Sequence, residues 1–170
     1  MRLDLKNIIH VPGTELPFSC QLDLSDLDFY GTHPLCEPVQ VTGRVRNRAE
    51  MLELEASLSS NLHLNCDSCG KPFERVMTVP VLRLLATELA SEDEDEIILL
   101  SSGKELDLDP VMTDEFILAM DTKQLCREDC KGRCPRCGVD LNEGTCQCKP
   151  EPDPRLAVLA KLLEQDDKQV

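Results

Sequence analysis

Aromatic side chains are scarce in this chain of 170 residues. They make up 3% of the sequence, and tryptophan is absent. A hydrophobic core must therefore be built from leucine, valine and isoleucine, which bury less area per residue than aromatic rings do. The length suits about one domain, which buries roughly 70% of its unfolded surface. Because packing is limited to aliphatic side chains, we expect bound metal ions to supply part of the stability.

Long hydrophobic runs are absent as well. No segment approaches the roughly 18 consecutive apolar residues of a membrane span, and the start, Met1 to Lys6, lacks the apolar core and cleavage site of a signal peptide. These absences predict a cytoplasmic protein that does not enter the membrane and whose thiols stay reduced.

Signatures of enzymes are missing too. The sequence contains no glycine-rich phosphate loop and no nucleophile elbow, and none of its histidines lies beside a nucleophile motif. We therefore expect a protein that is not an enzyme and has no small-molecule substrate.

Positive charge is in short supply. Lysine and arginine number 18 against 32 aspartates and glutamates, which gives a formal net charge of -14. A surface this acidic opposes broad contact with nucleic acid phosphates, so basic proteins are the expected partners. The densest acidic run is a predicted loop, and it consists of Glu92, Asp93, Glu94, Asp95 and Glu96. This loop is either a mobile connector or a docking surface for a basic partner.

Cysteine, by contrast, is abundant. Eight of the ten cysteines form close pairs, which are Cys66 with Cys69, Cys126 with Cys130, Cys134 with Cys137, and Cys146 with Cys148. Such pairs are typical of tetrahedral zinc sites. Gly70 and Gly138 follow two of the pairs, as in metal knuckles whose turns need positive φ. We predict two zinc ions, each held by four thiolates.

The eight thiols can be shared between two ions in two ways. In the preferred one, Cys66, Cys69, Cys126 and Cys130 join the β-sheet to the C-terminal region, and Cys134, Cys137, Cys146 and Cys148 close a local loop of about fifteen residues. In the alternative, a zinc ribbon unites Cys66, Cys69, Cys134 and Cys137. Neither leaves an open coordination position for a catalytic water.

Other roles for the cysteines are less well supported. A disulfide framework needs an oxidising compartment, and a redox-active Cys-x-x-Cys needs a thioredoxin-like βαβ pattern that does not surround either pair. Cys20 and Cys36 stand alone and are predicted to be structural.

Cations accompany the cysteine-rich segment, among them Arg127, Lys131, Arg133 and Arg136. A divalent ion with four thiolates carries a net charge of about -2, so these side chains have a charge-balancing role beside it. They are for that reason only a weak indication of nucleic-acid binding.

The hydrophobic pattern predicts an α+β fold, with an antiparallel β-rich N-terminal region and a C-terminal helical, cysteine-rich zinc-binding region. Strands are expected over 39–46 and 51–58, with a turn at 59–61 before the strand that enters the first knuckle. Another strand over 73–81 leaves the knuckle, so Cys66 and Cys69 are predicted to lie at the tip of a hairpin. Residues 97–100 and 105–108 are predicted to form a hairpin. Asp109-Pro110 and Asp153-Pro154 each predict the start of a helix.

These elements divide the chain into five segments. They are a β-rich region with the first knuckle over 1–90, an acidic loop over 91–96, a hairpin and helix over 97–125, a cysteine-rich zinc module over 126–150, and a C-terminal helix over 151–170. The last helix is amphipathic, and it either packs on its own domain or binds a partner.

The residues from Leu125 to Asn142, with Cys146-Gln147-Cys148 and Asp153 to Leu156 after them, strongly resemble the YceD family of large ribosomal RNA subunit accumulation proteins. The first knuckle and residues 107–120 resemble it too. Arg133 and Asp140 replace an expected leucine and asparagine, which leaves every thiol in place. Many relatives lack the last cysteine cluster, which favours a separable second site.

The resemblance implies a non-enzymatic role in the accumulation or processing of large-subunit (23S) rRNA, and so in ribosome biogenesis. A basic ribosomal protein or a large-subunit assembly factor is then the expected partner, with rRNA contact weak or indirect. Two alternatives stay open: a zinc module that binds RNA directly, and a zinc adaptor unrelated to ribosomes.

Overall fold

The computed structural model describes residues 1–48, 51–87, 97–100 and 104–148. Within them the protein is rich in β-structure and has two helices. The elements are β1 (Arg2–Asp4), α1 (Lys6–Ile9), β2 (Glu15–Leu22), β3 (Val39–Arg48), β4 (Met51–Asn65), β5 (Pro72–Ala86), β6 (Ile97–Leu99), β7 (Glu105–Asp107) and α2 (Leu108–Ala119). The predicted helix after Asp153 lies outside the described residues, as does the acidic loop.

One sheet of five strands, in the order β2-β3-β4-β5-β6, dominates the fold. Strands β2 to β5 form an antiparallel meander, so the predicted antiparallel, β-rich character is confirmed. The turn predicted at 59–61 is wrong, because β4 runs straight through it. Ser60 faces the core opposite Met77, and its two polar neighbours face outward. Continuous pairing with β5 therefore keeps these polar residues extended.

The predicted hairpin of 97–100 with 105–108 is wrong as well. Strand β6 pairs in parallel with the end of β5, whereas β7 pairs with β1 in a separate antiparallel sheet. Each short strand pairs with a strand other than its neighbour in the sequence. The turn residues between them predicted that β6 and β7 would pair with each other, but pairing with β5 and β1 replaces that hairpin.

Aliphatic side chains fill the inner face of the large sheet, and those with no exposed surface include Val41, Val45, Leu54, Leu58 and Leu62. Helix α2 covers this face with Met112 and Phe116, which belong to the same hydrophobic cluster. The helix begins one residue before the predicted Asp109. Its N-cap is Asp107, whose carboxylate accepts the backbone N–H of Asp109. The predicted aliphatic core is thus confirmed, with Phe116 as its one fully buried aromatic ring.

Candidate metal centres

The first cysteine pair lies in the connection between β4 and β5, as the sequence predicts. The N–H of Cys66 donates to the carbonyl oxygen of Lys71 (2.9 Å), and the N–H of Gly70 donates back to the oxygen of Cys66 (2.7 Å). Gly70 has a φ of 71°, which a residue with a Cβ rarely adopts. The turn buries both thiols, since Cys66 is 2% and Cys69 1% exposed.

The second knuckle repeats this geometry. The N–H of Cys134 donates to the oxygen of Val139 (2.9 Å), and that of Gly138 donates to the oxygen of Cys134 (2.9 Å). Gly138 has a φ of 72°, so the predicted positive φ is confirmed at both glycines. Two turns far apart in the sequence therefore present their paired thiols in the same way.

The structure gathers the eight thiols into two sets of four. The first set is Cys66, Cys69, Cys126 and Cys130, and the second is Cys134, Cys137, Cys146 and Cys148, with all sulfurs of a set within 4.8 Å of one another. This division of the thiols is the preferred one of the two arrangements that the sequence allows. The two knuckles belong to different sets, so the ribbon that would unite them is not the arrangement found.

The sulfur spacing distinguishes coordination from oxidation. The Sγ of Cys66 lies 3.6 Å from that of Cys130, and the Sγ of Cys69 lies 3.7 Å from that of Cys126. A disulfide would bring two sulfurs to about 2.05 Å. Four thiolates at about 2.3 Å from a tetrahedral ion lie about 3.8 Å apart. The first set therefore fits a tetrahedral metal ion, and its cysteines are free thiols.

Cys126 and Cys130 lie on a turn and not on a helix. Their spacing of four residues would place both sulfurs on one side of a helical turn, but the segment between them forms a single turn closed by the N–H of Cys130 on the oxygen of Arg127 (3.2 Å). Within 121–148 the described backbone contains no helix. A short turn is enough to bring two sulfurs to one ion.

The thiols of each set differ in acidity. Burial opposes ionisation of Cys66, yet backbone N–H groups directed at its sulfur lower its pKa to about 6. Backbone N–H groups likewise lower the pKa of Cys134 to about 6. Burial and the neighbouring thiols raise the pKa of Cys126 to about 12. One thiol in each set thus ionises readily, whereas ionisation of all four needs a cation to offset their mutual repulsion.

A buried glutamine attaches the second half of the first set to the knuckle. The N–H of Asp67 donates to the oxygen of Gln124 (2.8 Å), and the N–H of Gln124 donates to the Asp67 carboxylate (2.6 Å). The Gln124 side chain also accepts a hydrogen bond from Arg75 on β5 (2.7 Å). These contacts help to place Cys126 beside the knuckle. The sequence offered no signal for Gln124, because its partners are distant in the chain.

The two centres are also joined to each other. The N–H of Arg133 donates to the oxygen of Ser68 in the first knuckle (3.0 Å). Lys71 pairs with Asp140 (2.8 Å) and with Glu143 of the second module, and the lysine lowers the pKa of Asp140 to about 2. Asn142 donates to the Sγ of Cys130 (3.5 Å). The segment that carries the second set is therefore packed onto the first knuckle.

The other sequence-predicted residues have varied surroundings. Arg127, Lys131, Arg133 and Arg136 are all exposed. Arg127 pairs with Asp129 (3.3 Å), and the guanidinium of Arg133 lies against Gly70, so both contribute locally. Cys20 is half-buried against the core. Cys36 is exposed, which differs from the buried position usual for a free cysteine.

Gly132 lies where the segment that carries the second set meets the first knuckle. Its replacement by alanine is expected to loosen that junction. Its φ is 73°, and an added Cβ would lie 2.9 Å from the oxygen of Ser68. Backbone strain of this kind costs about 1–3 kcal/mol. We expect Gly132→Ala to lower the midpoint of thermal unfolding and to speed amide exchange over residues 126–142.

Gly138 and Gly144 are control positions that separate the effect of backbone strain from that of the contact with Ser68. Gly138 has a φ of 72° with nothing within 4 Å of an added Cβ, and Gly144 has neither constraint. The expected order of effects is Gly132→Ala, then Gly138→Ala, then Gly144→Ala. Equal effects at 132 and 138 would show that the contact with Ser68 does not matter.

Comparison with known proteins identifies a family that shares the cysteine-containing part of this chain. A family model described as large ribosomal RNA subunit accumulation protein YceD matches residues 54–163, which include both cysteine sets. No solved structure matches the chain. Neither helix among the described residues has the length and hydrophobicity needed to cross a bilayer.

Three curated relatives illustrate the range of similarity. The chain is 26% identical over 171 residues to the uncharacterized protein YlbN of Bacillus subtilis, with 99% of each chain covered. It is 27% identical over 167 residues to the uncharacterized protein Rv2926c of Mycobacterium tuberculosis, covering 94% of this chain and 73% of the relative. It is 24% identical over 163 residues to the large ribosomal RNA subunit accumulation protein YCED homolog 1, chloroplastic, of Arabidopsis thaliana, covering 78% of this chain and 51% of the relative.

Proposed function

We propose, from the premise that this chain belongs to the YceD family of large ribosomal RNA subunit accumulation proteins, that it is a zinc-binding factor in ribosome biogenesis. Its role is to promote the accumulation or processing of large-subunit rRNA without catalysing a reaction. The family match over residues 54–163 carries this proposal. The name of the Arabidopsis relative supports it.

Zinc is the metal that these donor sets favour. Four thiolates are soft ligands, and tetrahedral sets of four cysteines are typical of structural zinc sites. Such an ion would hold the segment around Cys126 on the knuckle and complete the contact that Gln124 begins. All four ligands of each set would come from the protein, so neither ion would keep a position for an activated water. The proposed role of the metal is therefore to maintain a binding surface.

The proposed partner is a basic ribosomal protein or a large-subunit assembly factor. The net charge of -14 supports this choice, because an acidic surface attracts basic proteins and opposes contact with phosphates. The acidic run from Glu92 to Glu96 is the surface that the sequence favours. Any contact with rRNA would be weak or indirect and would involve the exposed cations of the cysteine-rich module.

Expression of variants in source cells depleted of the native protein tests this function. We expect Cys66→Ser to reduce large-subunit rRNA relative to small-subunit rRNA to the level of the depleted cells, since it removes a zinc ligand. Cys36→Ser alters an exposed thiol outside both sets and is expected to restore the wild-type ratio. An unchanged ratio in depleted cells would refute the role in rRNA accumulation.

Direct RNA binding is the second candidate, and the exposure of Arg127, Lys131, Arg133 and Arg136 is the observation that favours it. Neutralising Lys131 and Arg136 together would then abolish rRNA accumulation and weaken binding of purified large-subunit rRNA, with a steep dependence on salt. We expect that variant to retain function, because the proposed factor acts through proteins.

A further inference from the structure

The loop between β2 and β3 displays one aromatic ring to solvent. Tyr30 is 76% exposed, whereas each of the four phenylalanines is buried or half-buried. A bare aromatic ring adds little to folding but is a frequent anchor at protein interfaces. Tyr30 lies outside both cysteine sets, so the metal centres do not explain it.

The turn that carries Tyr30 is preorganised. Phe29 and Thr32 exchange backbone hydrogen bonds of 2.8 and 3.2 Å, and the Asp28 carboxylate accepts the N–H of Gly31 (2.7 Å). The ring of Phe29 meets that of Tyr30 edge to face, with centroids 4.8 Å apart. Phe29 in turn packs against the core. The exposed ring is therefore held in place before any partner arrives.

The loop is also anchored to the large sheet. Leu35 forms an isolated β-bridge with Leu62 on β4, and the oxygen of Pro34 accepts the N–H of His63 (2.8 Å). Both Pro34 and Leu35 are buried. The Tyr30 turn is thus a fixed projection from the sheet.

The formal charges of this loop are all acidic. Residues 22–38 contain no lysine or arginine, and their acidic residues, all exposed, are Asp23, Asp26, Asp28 and Glu37. An aromatic face attracts a cation, arginine most often, and carboxylates beside it bind the same guanidinium through charge-assisted hydrogen bonds. These charges repel phosphate, so the surface does not suit a nucleic acid or an anionic membrane.

We propose that the Tyr30 turn, with the carboxylates of Asp26 and Asp28, is a docking surface for an arginine-rich segment of a basic protein. The guanidinium lies on the Tyr30 ring, and the carboxylates accept its N–H groups. This surface extends the proposed function, because it names a second point of contact, apart from the acidic run at 92–96. It does not depend on metal binding.

The chain provides its own probe for this proposal. Tyr30 is the single tyrosine, and there is no tryptophan, so the intrinsic tyrosine fluorescence reports on this turn alone. The zinc-loaded full chain is titrated with a short peptide of alternating arginine and glycine, and a glutamine-glycine peptide of equal length serves as control. We expect a saturable fluorescence change with the arginine peptide and none with the glutamine peptide.

Variants separate binding from folding, with affinity measured by anisotropy of a labelled peptide. We expect Tyr30→Phe to bind as the wild type does, and Tyr30→Asn to weaken binding about two- to fivefold, as loss of an exposed cation–π contact should. Tyr30 has a φ of 52°, which asparagine adopts with less strain. The asparagine variant should therefore be as thermally stable as the wild type or more so, which a merely structural role for the ring would not allow.

The charges are tested in the same way. Asp28→Asn retains an oxygen that can accept the N–H of Gly31, so it removes charge and leaves the turn intact. The double variant Asp26→Asn with Asp28→Asn is expected to weaken peptide binding and to reduce the dependence of that binding on salt. Peptide binding that leaves the Tyr30 fluorescence unchanged, or that survives Tyr30→Asn at full affinity, would overturn the proposal. Each variant should keep two zinc ions, so failure here is distinct from failure of the metal centres.

Discussion

Cys66→Ser is expected to remove one of two bound zinc ions and to loosen the attachment of the cysteine-rich segment to the sheet. The residue supplies a buried thiol of the first set, and structural zinc contributes an apparent binding free energy of about 10–16 kcal/mol. Without that ion, the segment after Asp121 would rest on hydrogen bonds and ion pairs to β5 and the first knuckle, chiefly those of Gln124, Arg133 and Lys71. Amide exchange should rise over residues 121–133 and at the end of the β4–β5 hairpin, and elemental analysis should find one zinc per chain.

Two further variants show which part of that result belongs to the first centre. Cys146→Ser should also reduce zinc to one ion per chain, yet leave exchange in β4 and β5 unchanged, because the second set lies wholly within residues 134–148. Cys36→Ser should retain two ions. Loss of both ions in each single variant would show that the eight thiols form one shared centre.

The knuckles could be predicted because they are local. A Cys-x-x-Cys-Gly sequence specifies its own turn, and the structure repeats the same hydrogen bonds at Cys66 and Cys134. The same reasoning places the first knuckle at the end of a hairpin, since alternating residues lead into it and away from it. Local patterns were sufficient for these two turns.

Most features that depend on distant partners were missed. The joining of Cys66 and Cys69 to Cys126 and Cys130 is the exception, because a local second site leaves these four thiols for the first. Nothing near Ile97 indicates that β6 would join the edge of β5 in parallel, and nothing near Glu105 indicates pairing with β1. Gln124 and Lys71 are ordinary polar residues in the sequence, and their roles arise from partners at least 49 positions away. Periodicity describes which face of a strand is buried, but it does not identify the edge that the strand will meet.

A chelator is expected to remove the two zinc ions in sequence, and the second centre should lose its ion first. In the second set Cys137 and Cys148 are exposed, whereas in the first set two thiols are buried and two are half-buried. A chelator must reach the metal before the thiolates leave, so exposed sulfurs give it access. We expect release from the second centre to be about tenfold faster or more, which corresponds to a barrier lower by about 1.4 kcal/mol.

Stopped-flow release into a metal-sensitive dye measures both phases in one experiment. The fast phase should disappear in Cys146→Ser and remain in Cys66→Ser, and amide exchange in β4 and β5 should stay at the wild-type rate once the first ion has left. A single phase for the wild type, or a fast phase that survives Cys146→Ser, would contradict the assignment. Because Arg133, Lys71 and Asn142 hold the second module on the first knuckle, release of the exposed ion should loosen the loop from Cys134 to Cys148 while the junction at Ser68 persists.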